Sequence, residues 1–299
     1  YPTTSVTKDQ FQSHIKYIIE NNIKVISLEK IIDKIENNEK FIGKSIAFSV
    51  DDAYLSFFEY AWPIFNKYKI PVTLFVSTDI IDSNTAGYMS WPQINEFIKQ
   101  GGTIGQHTST HLHMPINNKE YVKEDLLSSH KSFMKNIGFV PKLFAYPYGE
   151  TSLAIIDLLK ELNINHAFGQ HSGVISSYEN HYYLPRFSLN QNFGTLDRFE
   201  FAVNSLPLQI DQFSPDDMFL KNNKRPLIEL TLIDNLKNNE LNCYSNPGGN
   251  WNSQEIIKIT PHKFQIKLEE DFLSGRGKLN CTSKIDDNWH WFGYQFLIK

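Results

Sequence analysis

From residue 7 to residue 189 the chain alternates helical stripes with short apolar strand-like runs, an order that allows few folds. Thr7 stands three positions before Gln10, a capping pair for a helix whose apolar stripe is Phe11, Ile15, Ile18 and Ile19. Strand-like runs follow at residues 24–28, 46–50, 71–77, 103–107, 143–147, 166–169 and 182–189. Between them, helices are predicted from Leu28 to Ile35, over 55–68, after the cap Ser90 in "SWPQINEFIKQ", over 119–137 and over 151–163. Strands separated by helices pair in parallel and are covered by those helices. About seven such units predict an α/β fold, a distorted and partly or fully closed (β/α) barrel, rather than an open doubly wound sheet. No glycine-rich phosphate loop follows any strand, which leaves dinucleotide and nucleoside-triphosphate binding unsupported.

Past about Thr195 the pattern changes. No helical stripe is read there, and "SPDDMFLKNNKRP" reads as a linker. The runs "LIELTLI", "ELNCYSN", "EIIKITPHKFQIKLEE", "GKLNCTS" and "WHWFGYQFLI" read as strands between turn residues. The predicted organisation is a barrel domain over 1–205 and a small β-sandwich-like accessory module over 206–299. Trp289 and Trp291 alternate and so share one strand face, suited either to a glycan surface, with Trp251, or to the sandwich core. Cys243 and Cys281, the only cysteines, are compatible with one disulfide or with two buried thiols.

Composition excludes more than it assigns. With 41% hydrophobic and 21% charged residues, the 299-residue chain has the balance of an ordinary globular protein. A formal net charge of −4 and the lack of any polybasic run give no reason to expect nucleic acid or a membrane surface as partner. No apolar stretch is long enough to span a bilayer. The chain begins at Tyr1 rather than Met, so a trimmed N-terminus is expected, with any export signal outside the sequence.

In parallel α/β barrels chemistry collects where strands end. One strand here ends in Asp51 and Asp52, another runs into "HTSTHLH" with His107, His111 and His113, and a third into "AYPYGE". A fourth ends in Gln170 and His171, and a fifth contains Arg186. His107 and His111, spaced i, i+4, would share one side of a helical turn. Two such imidazoles and one carboxylate suit Zn²⁺ or another divalent transition metal, leaving the second aspartate free as a base. That division of labour explains two adjacent like charges. His14 and His130 lie within amphipathic helices and read as structural.

The constellation resembles the polysaccharide deacetylase family, carbohydrate esterase family four with the NodB-homology fold, over about residues 5–190. "FSVDDAY", "HTSTH" and "FAYPYGE" resemble its first three motifs in order. The resemblance implies a distorted (β/α) barrel that uses one divalent metal, usually zinc, to remove acetyl groups from sugars. It implies Asp51 as catalytic base, Asp52, His107 and His111 as metal ligands, and the backbone N–H of Tyr148 as oxyanion donor, in a loop completed by Pro147 and Gly149. Departures are also evident. Ala53 stands where the family has glycine, and Ala145 where it has an arginine, for which Arg186 is the candidate replacement. No late "L-x-H" motif supplies the histidine acid, and His171 is the substitute within the barrel. Tyr54, Tyr146, Tyr148 and Trp91 are candidates to stack on sugar rings, Trp91 equally for core packing. The implied activity is N-deacetylation of N-acetylhexosamine units in a polysaccharide or glycoconjugate. An O-acetyl esterase, an amidase on another substrate and a catalytically impaired sugar-binding protein are the alternatives. Family members are often exported, which implies a periplasmic or extracellular location.

Overall fold

Thr7 and Gln10 form the expected reciprocal cap, each side chain bonded to the other's backbone N–H (2.9 and 3.1 Å), at the start of α1 (Lys8–Glu20). The computed structural model describes residues 3–37, 39, 43–176, 180–236 and 240–299. After α2 (Leu28–Glu36), β1 (Phe48–Asp51) leads through a π-helical turn (Phe57–Ala61) into α3 (Trp62–Lys67). Then come β2 (Val72–Val76), α4 (Thr78–Asp82), α5 (Trp91–Lys99), β3 (Thr103–Gln106), α6 (Lys119–Ile137), β4 (Leu143–Ala145), α7 (Leu153–Glu161) and β5 (His166–Phe168). The Ser90 cap and its Gln93 partner start α5, and Gly138, with φ at 83°, ends α6 in the left-handed conformation that glycine accepts without strain.

β1 to β5 pair in parallel in sequence order, a five-stranded sheet rather than the expected seven. The two outer runs exist but are reduced to single bridges, Val25 to Ile46 at one edge and Phe168 to Leu184 at the other. The sheet is nonetheless curled. β2 and β5 lie three places apart, about 14 Å in a flat sheet, yet Phe75 and Phe168 bring their ring centroids to 5.8 Å. Inside the curl these rings pack with Ile26, Leu143, Ala145 and Leu184. A Cβ at Gly105 would overlap the Phe75 ring, so β3 needs glycine there to let the interior fill.

The expectation of no helix past Thr195 is wrong. Thr195 caps α8 (Leu196–Asn204), which buries Phe199 and Val203 against Ile18 of α1. His14 stacks on Phe199 at 4.3 Å and bonds to the Gly194 carbonyl at 2.8 Å, a structural role. The stripe Leu196, Phe199, Val203 was present in the sequence but is short. Part of the expected linker is also structured. After β6 (Leu206–Pro207) and β7 (Ile210–Ser214), β8 (Phe219–Leu220) pairs with the last strand.

The remaining strands are β9 (Ile228–Leu232), β10 (Asn242–Ser245), β11 (Asn252–Ser253), β12 (Glu255–Lys258), β13 (Lys263–Lys267), β14 (Gly275–Ile285) and β15 (Asn288–Ile298). They form a six-stranded sheet in the order β11-β10-β14-β15-β6, with β8 also on β15, and a four-stranded sheet β12-β13-β9-β7. Asp286 and Asp287, at φ 46° and 63°, make the tight turn of the β14–β15 hairpin. Ile228, Leu230, Phe264 and Ile266 of one sheet pack with Leu279, Cys281 and Phe296 of the other. The same apolar cluster continues into Phe144, Tyr146, Leu158 and Leu159 of the α/β part. Trp289 and Trp291 face away from that cluster and lie against Phe201 of α8.

Cys243 and Cys281 sit directly opposite on β10 and β14 and are joined as a disulfide. The bond closes a segment of 38 residues. On chain-entropy grounds reduction should cost about 4 kcal/mol. We expect a dithiol reductant or Cys243→Ala to lower the melting temperature by several degrees, read by calorimetry, and an unchanged midpoint would count against the bond.

Candidate active site

The acids, histidines and motif loops all leave the parallel sheet at its C-terminal edge. Asp51 is the last residue of β1, His107 follows β3, Tyr146 follows β4, and Gly169 follows β5. Asp52 and Ala53 turn the chain through positive φ, at 72° and 56°. Ala53 therefore adopts the conformation glycine would take without strain, with its Cβ fully buried.

The histidines do not sit on a helical turn, contrary to the spacing argument. Residues 107–111 form a tight loop with Thr108 and His111 at φ 65° and 55°. Asp125 of α6, an acid the sequence reading did not single out, holds this loop. Its carboxylate accepts from the N–H groups of Ser109 (2.7 Å) and Thr110 (3.0 Å) and from the Thr110 hydroxyl (2.6 Å). Ser77 donates to the His107 carbonyl at 2.8 Å. Nothing in the spacing of Asp125, buried mid-helix, sets it apart from a surface acid.

Three ligand atoms converge there. Asp52 Oδ1 lies 3.5 Å from His107 Nε2 and 3.4 Å from His111 Nε2, and the donor atoms of all three residues fall within 4.8 Å of one another. His107 Nδ1 is 2.7 Å from the Ala145 carbonyl, which can only accept, so Nδ1 carries the proton and Nε2 presents a lone pair. That Nε2 is buried with no hydrogen-bond partner among the described residues, facing a carboxylate oxygen. Burial lowers the pKa of both imidazoles and so keeps them neutral, and burial, then the Asp51 charge, pushes Asp52 up. Lone pairs and a destabilised carboxylate aimed at one point are what a divalent cation reconciles. The three residues fit such an ion.

Asp51 is held differently. Burial alone would raise its pKa, but the Arg186 guanidinium overcomes this and holds the carboxyl at about 2. Arg186 binds it with both arms, Nη1 to Oδ1 at 2.7 Å and Nη2 to Oδ2 at 2.9 Å. The same guanidinium donates to the Gly169 carbonyl at 2.8 Å and to Ser49 at 3.0 Å. Arg186, at the far edge of the curled sheet, is thus the guanidinium that pairs with Asp51, while Ala145 offers His107 its backbone carbonyl.

Tyr148, after Pro147, stands at φ 60° with its ring edge-on to His111 (centroids 4.5 Å) and stacked on His113 (4.0 Å). Among the described residues its N–H has no hydrogen-bond acceptor. His113 is not brought to the ligand cluster. It pairs instead with the buried Glu150 at 2.6 Å, a contact that sequence spacing did not reveal. Tyr54 stacks on Tyr88 at 4.8 Å.

Two further candidates are engaged inside the protein. Tyr146 is fully buried in the core and donates to the Tyr182 carbonyl at 2.8 Å, so it cannot stack on a sugar. Trp91 donates to Asp82 and packs edge-on to Phe133, which is the packing alternative.

His171 also lies away from solvent. It is 3% exposed, packed on Tyr183 at 4.3 Å, and its Nδ1 has no partner among the described residues. Burial first, then the charges of Lys278 and Arg186, push its pKa down to about 3, so it holds no proton to give near neutrality. A folded-state pKa below the unfolded one makes its contribution complete above about 6.5, eroding as the pH falls toward 3. We expect His171→Phe to shift the acid-unfolding midpoint to lower pH and to leave kcat within about tenfold. A loss of the 10²–10⁴ typical of a missing general acid would restore the catalytic role.

The polysaccharide deacetylase family model matches residues 38–167, the stretch carrying Asp51, Asp52, His107, His111 and Tyr148. The poly-β-1,6-N-acetyl-D-glucosamine N-deacetylase of Staphylococcus aureus is 27% identical over 211 residues, 67% of this chain and 71% of that protein. Among solved structures, Streptococcus pyogenes deacetylase PplD in complex with acetate superposes with a TM-score of 0.61 at 20% identity, over 66% of this chain and 87% of that one. IcaB from Ammonifex degensii gives a TM-score of 0.59 at 19% identity, over 66% of this chain and 89% of that one. The last two likenesses establish a shared fold. Over residues 38–167, which carry the motif geometry, the chain matches the polysaccharide deacetylase family.

Proposed function

We propose that the chain hydrolyses the N-acetyl group of N-acetylhexosamine units in a polysaccharide or glycoconjugate, releasing acetate, with zinc as the cation. The observation that carries this reading is the pairing of two unlike carboxylates. Asp52 converges with His107 and His111 on one point, while adjacent Asp51 is kept ionised by Arg186. Asp52, His107 and His111 would hold the ion, which when bound supplies Lewis acidity toward a carbonyl oxygen and offsets the repulsion of the two acids. Asp51 accepts the proton of the attacking water. Arg186, by fixing both Asp51 oxygens, sets the direction from which that proton arrives. The Tyr148 N–H, without an acceptor among the described residues, is the donor for the oxyanion that develops as the amide carbonyl is attacked.

An acetamido sugar is favoured as substrate because the staphylococcal relative is named for a β-1,6-linked N-acetylglucosamine polymer. In this reading residues 1–205 form the catalytic domain and 206–299 a module attached to it. Among the described residues no helix is long and apolar enough to cross a membrane. The disulfide fits an oxidising compartment, and we place the protein outside the cytoplasm. The test is acetate release from β-1,6-linked N-acetylglucosamine oligomers beside acetylated xylan. Turnover of the oligomers is expected, and turnover of xylan alone would move the assignment to O-acetyl esters.

A further inference from the structure

Gln295 is a long polar side chain in the apolar run "FGYQFLI" of β15, and it is 1% exposed. Burying an amide this deeply is unfavourable unless its hydrogen bonds are replaced. Oε1 has no partner among the described residues, and the NH₂ end is satisfied at one place. Nε2 donates to the carbonyl of Tyr148 at 3.0 Å and to that of Gly149 at 3.1 Å. Those carbonyls can only accept, which fixes the end of the amide that faces them.

The two residues so gripped are consecutive left-handed ones, at φ 60° and 67°. For Tyr148 that conformation is unfavourable, and it persists only where the surroundings enforce it. The surroundings do so from two sides. Tyr183 Oη lies 3.1 Å from the Gly149 carbonyl and 3.0 Å from the Gln295 carbonyl, bridging loop and strand. On the opposite side a Cβ at Gly149 would come within 2.5 Å of the Gln170 nitrogen, and the Gln170 side chain in turn points at Asp51 from 3.5 Å. β15 itself is pressed against the chain after β5, where a Cβ at Gly293 would overlap the Ser172 carbonyl.

We infer that Gln295 is a positioning residue of the active site, through which the C-terminal module sets the Tyr148 peptide for oxyanion stabilisation. Residues 206–299 then complete the catalytic apparatus instead of merely accompanying it. The inference rests on the deacetylase reading above, because it assigns Gln295 a function only through the Tyr148 N–H.

The experiment is steady-state acetate release from β-1,6-linked N-acetylglucosamine oligomers by the zinc-loaded full chain. It compares wild type, Gln295→Met, Tyr183→Phe and Phe296→Leu, with zinc affinity and melting temperature measured for each. Gln295→Met keeps the length and removes both donors. Its kcat should fall about 10- to 100-fold, with KM and zinc affinity within about threefold, since only a transition-state contact is displaced. Tyr183→Phe should show the same split at several-fold. Phe296→Leu, which loosens the neighbouring position of β15 without touching the loop, should lower the melting temperature and leave kcat near wild type. Unchanged kcat in folded Gln295→Met, or an equal kcat loss in Phe296→Leu at matched destabilisation, overturns the inference. Should Gln295→Met not fold, an unchanged kcat in Tyr183→Phe overturns it and a several-fold loss at constant KM supports it. An inert wild type refutes the deacetylase reading and this inference with it, whereas an active wild type with an equally active Gln295→Met refutes the inference alone.

Discussion

Asp51→Asn should cut acetate release by about 10²–10⁴, the range for loss of a positioned general base, while zinc affinity stays within a few-fold of wild type. The separation is expected because Asp52, His107 and His111 are the residues that could together hold an ion, whereas Asp51 pairs with Arg186. An asparagine preserves the shape but presents one oxygen and an NH₂ group to the guanidinium, and it cannot take up the proton. Isothermal titration with zinc beside acetate release reads both quantities. Parallel loss of metal and activity would mean that the roles of the two acids are wrongly divided.

His107→Ala should act in the opposite way, removing the metal first. The residue is fully buried, its Nδ1 fixed by the Ala145 carbonyl and its Nε2 aimed at Asp52. Losing a ligand held this firmly should cost more than the 10- to 100-fold in affinity typical of outer partners. Activity should then follow zinc occupancy, with partial recovery at high zinc. His111→Ala, at a less buried position, should show the same pattern with less effect on folding. Wild-type turnover by a zinc-free His107→Ala protein would refute the ligand role.

The chemistry of the site was more legible in the sequence than its support. Asp51, Asp52, His107 and His111 are polar residues at strand ends, where an apolar period breaks, and that break is visible in one dimension. The bridging of Asp51 by Arg186 was foreseen only as a candidate, because the contact spans 135 residues and depends on the curl of the sheet. Asp125, Glu150 and Gln295 carry no such mark. Asp125 and Gln295 act through hydrogen bonds to backbone groups of other elements, Glu150 through the His113 ring, and the sequence neighbours of each are those of an ordinary helix, turn or strand. The same limit explains the strand count. The runs at 24–28 and 182–189 have strand composition, but at the edges of the sheet they keep one bridge each. It explains Tyr146 as well, which stands in the "FAYPYGE" run but turns its side chain inward to the core.

The proposed chemistry requires a cation held by Asp52, His107 and His111 beside Asp51, with an acetamido sugar as substrate. The most direct measurement is acetate release from β-1,6-linked N-acetylglucosamine oligomers by one preparation, before chelation, after chelation and after zinc is restored. Turnover, its loss on chelation, and recovery at one zinc per chain are expected. Undiminished turnover by metal-stripped protein would contradict that chemistry.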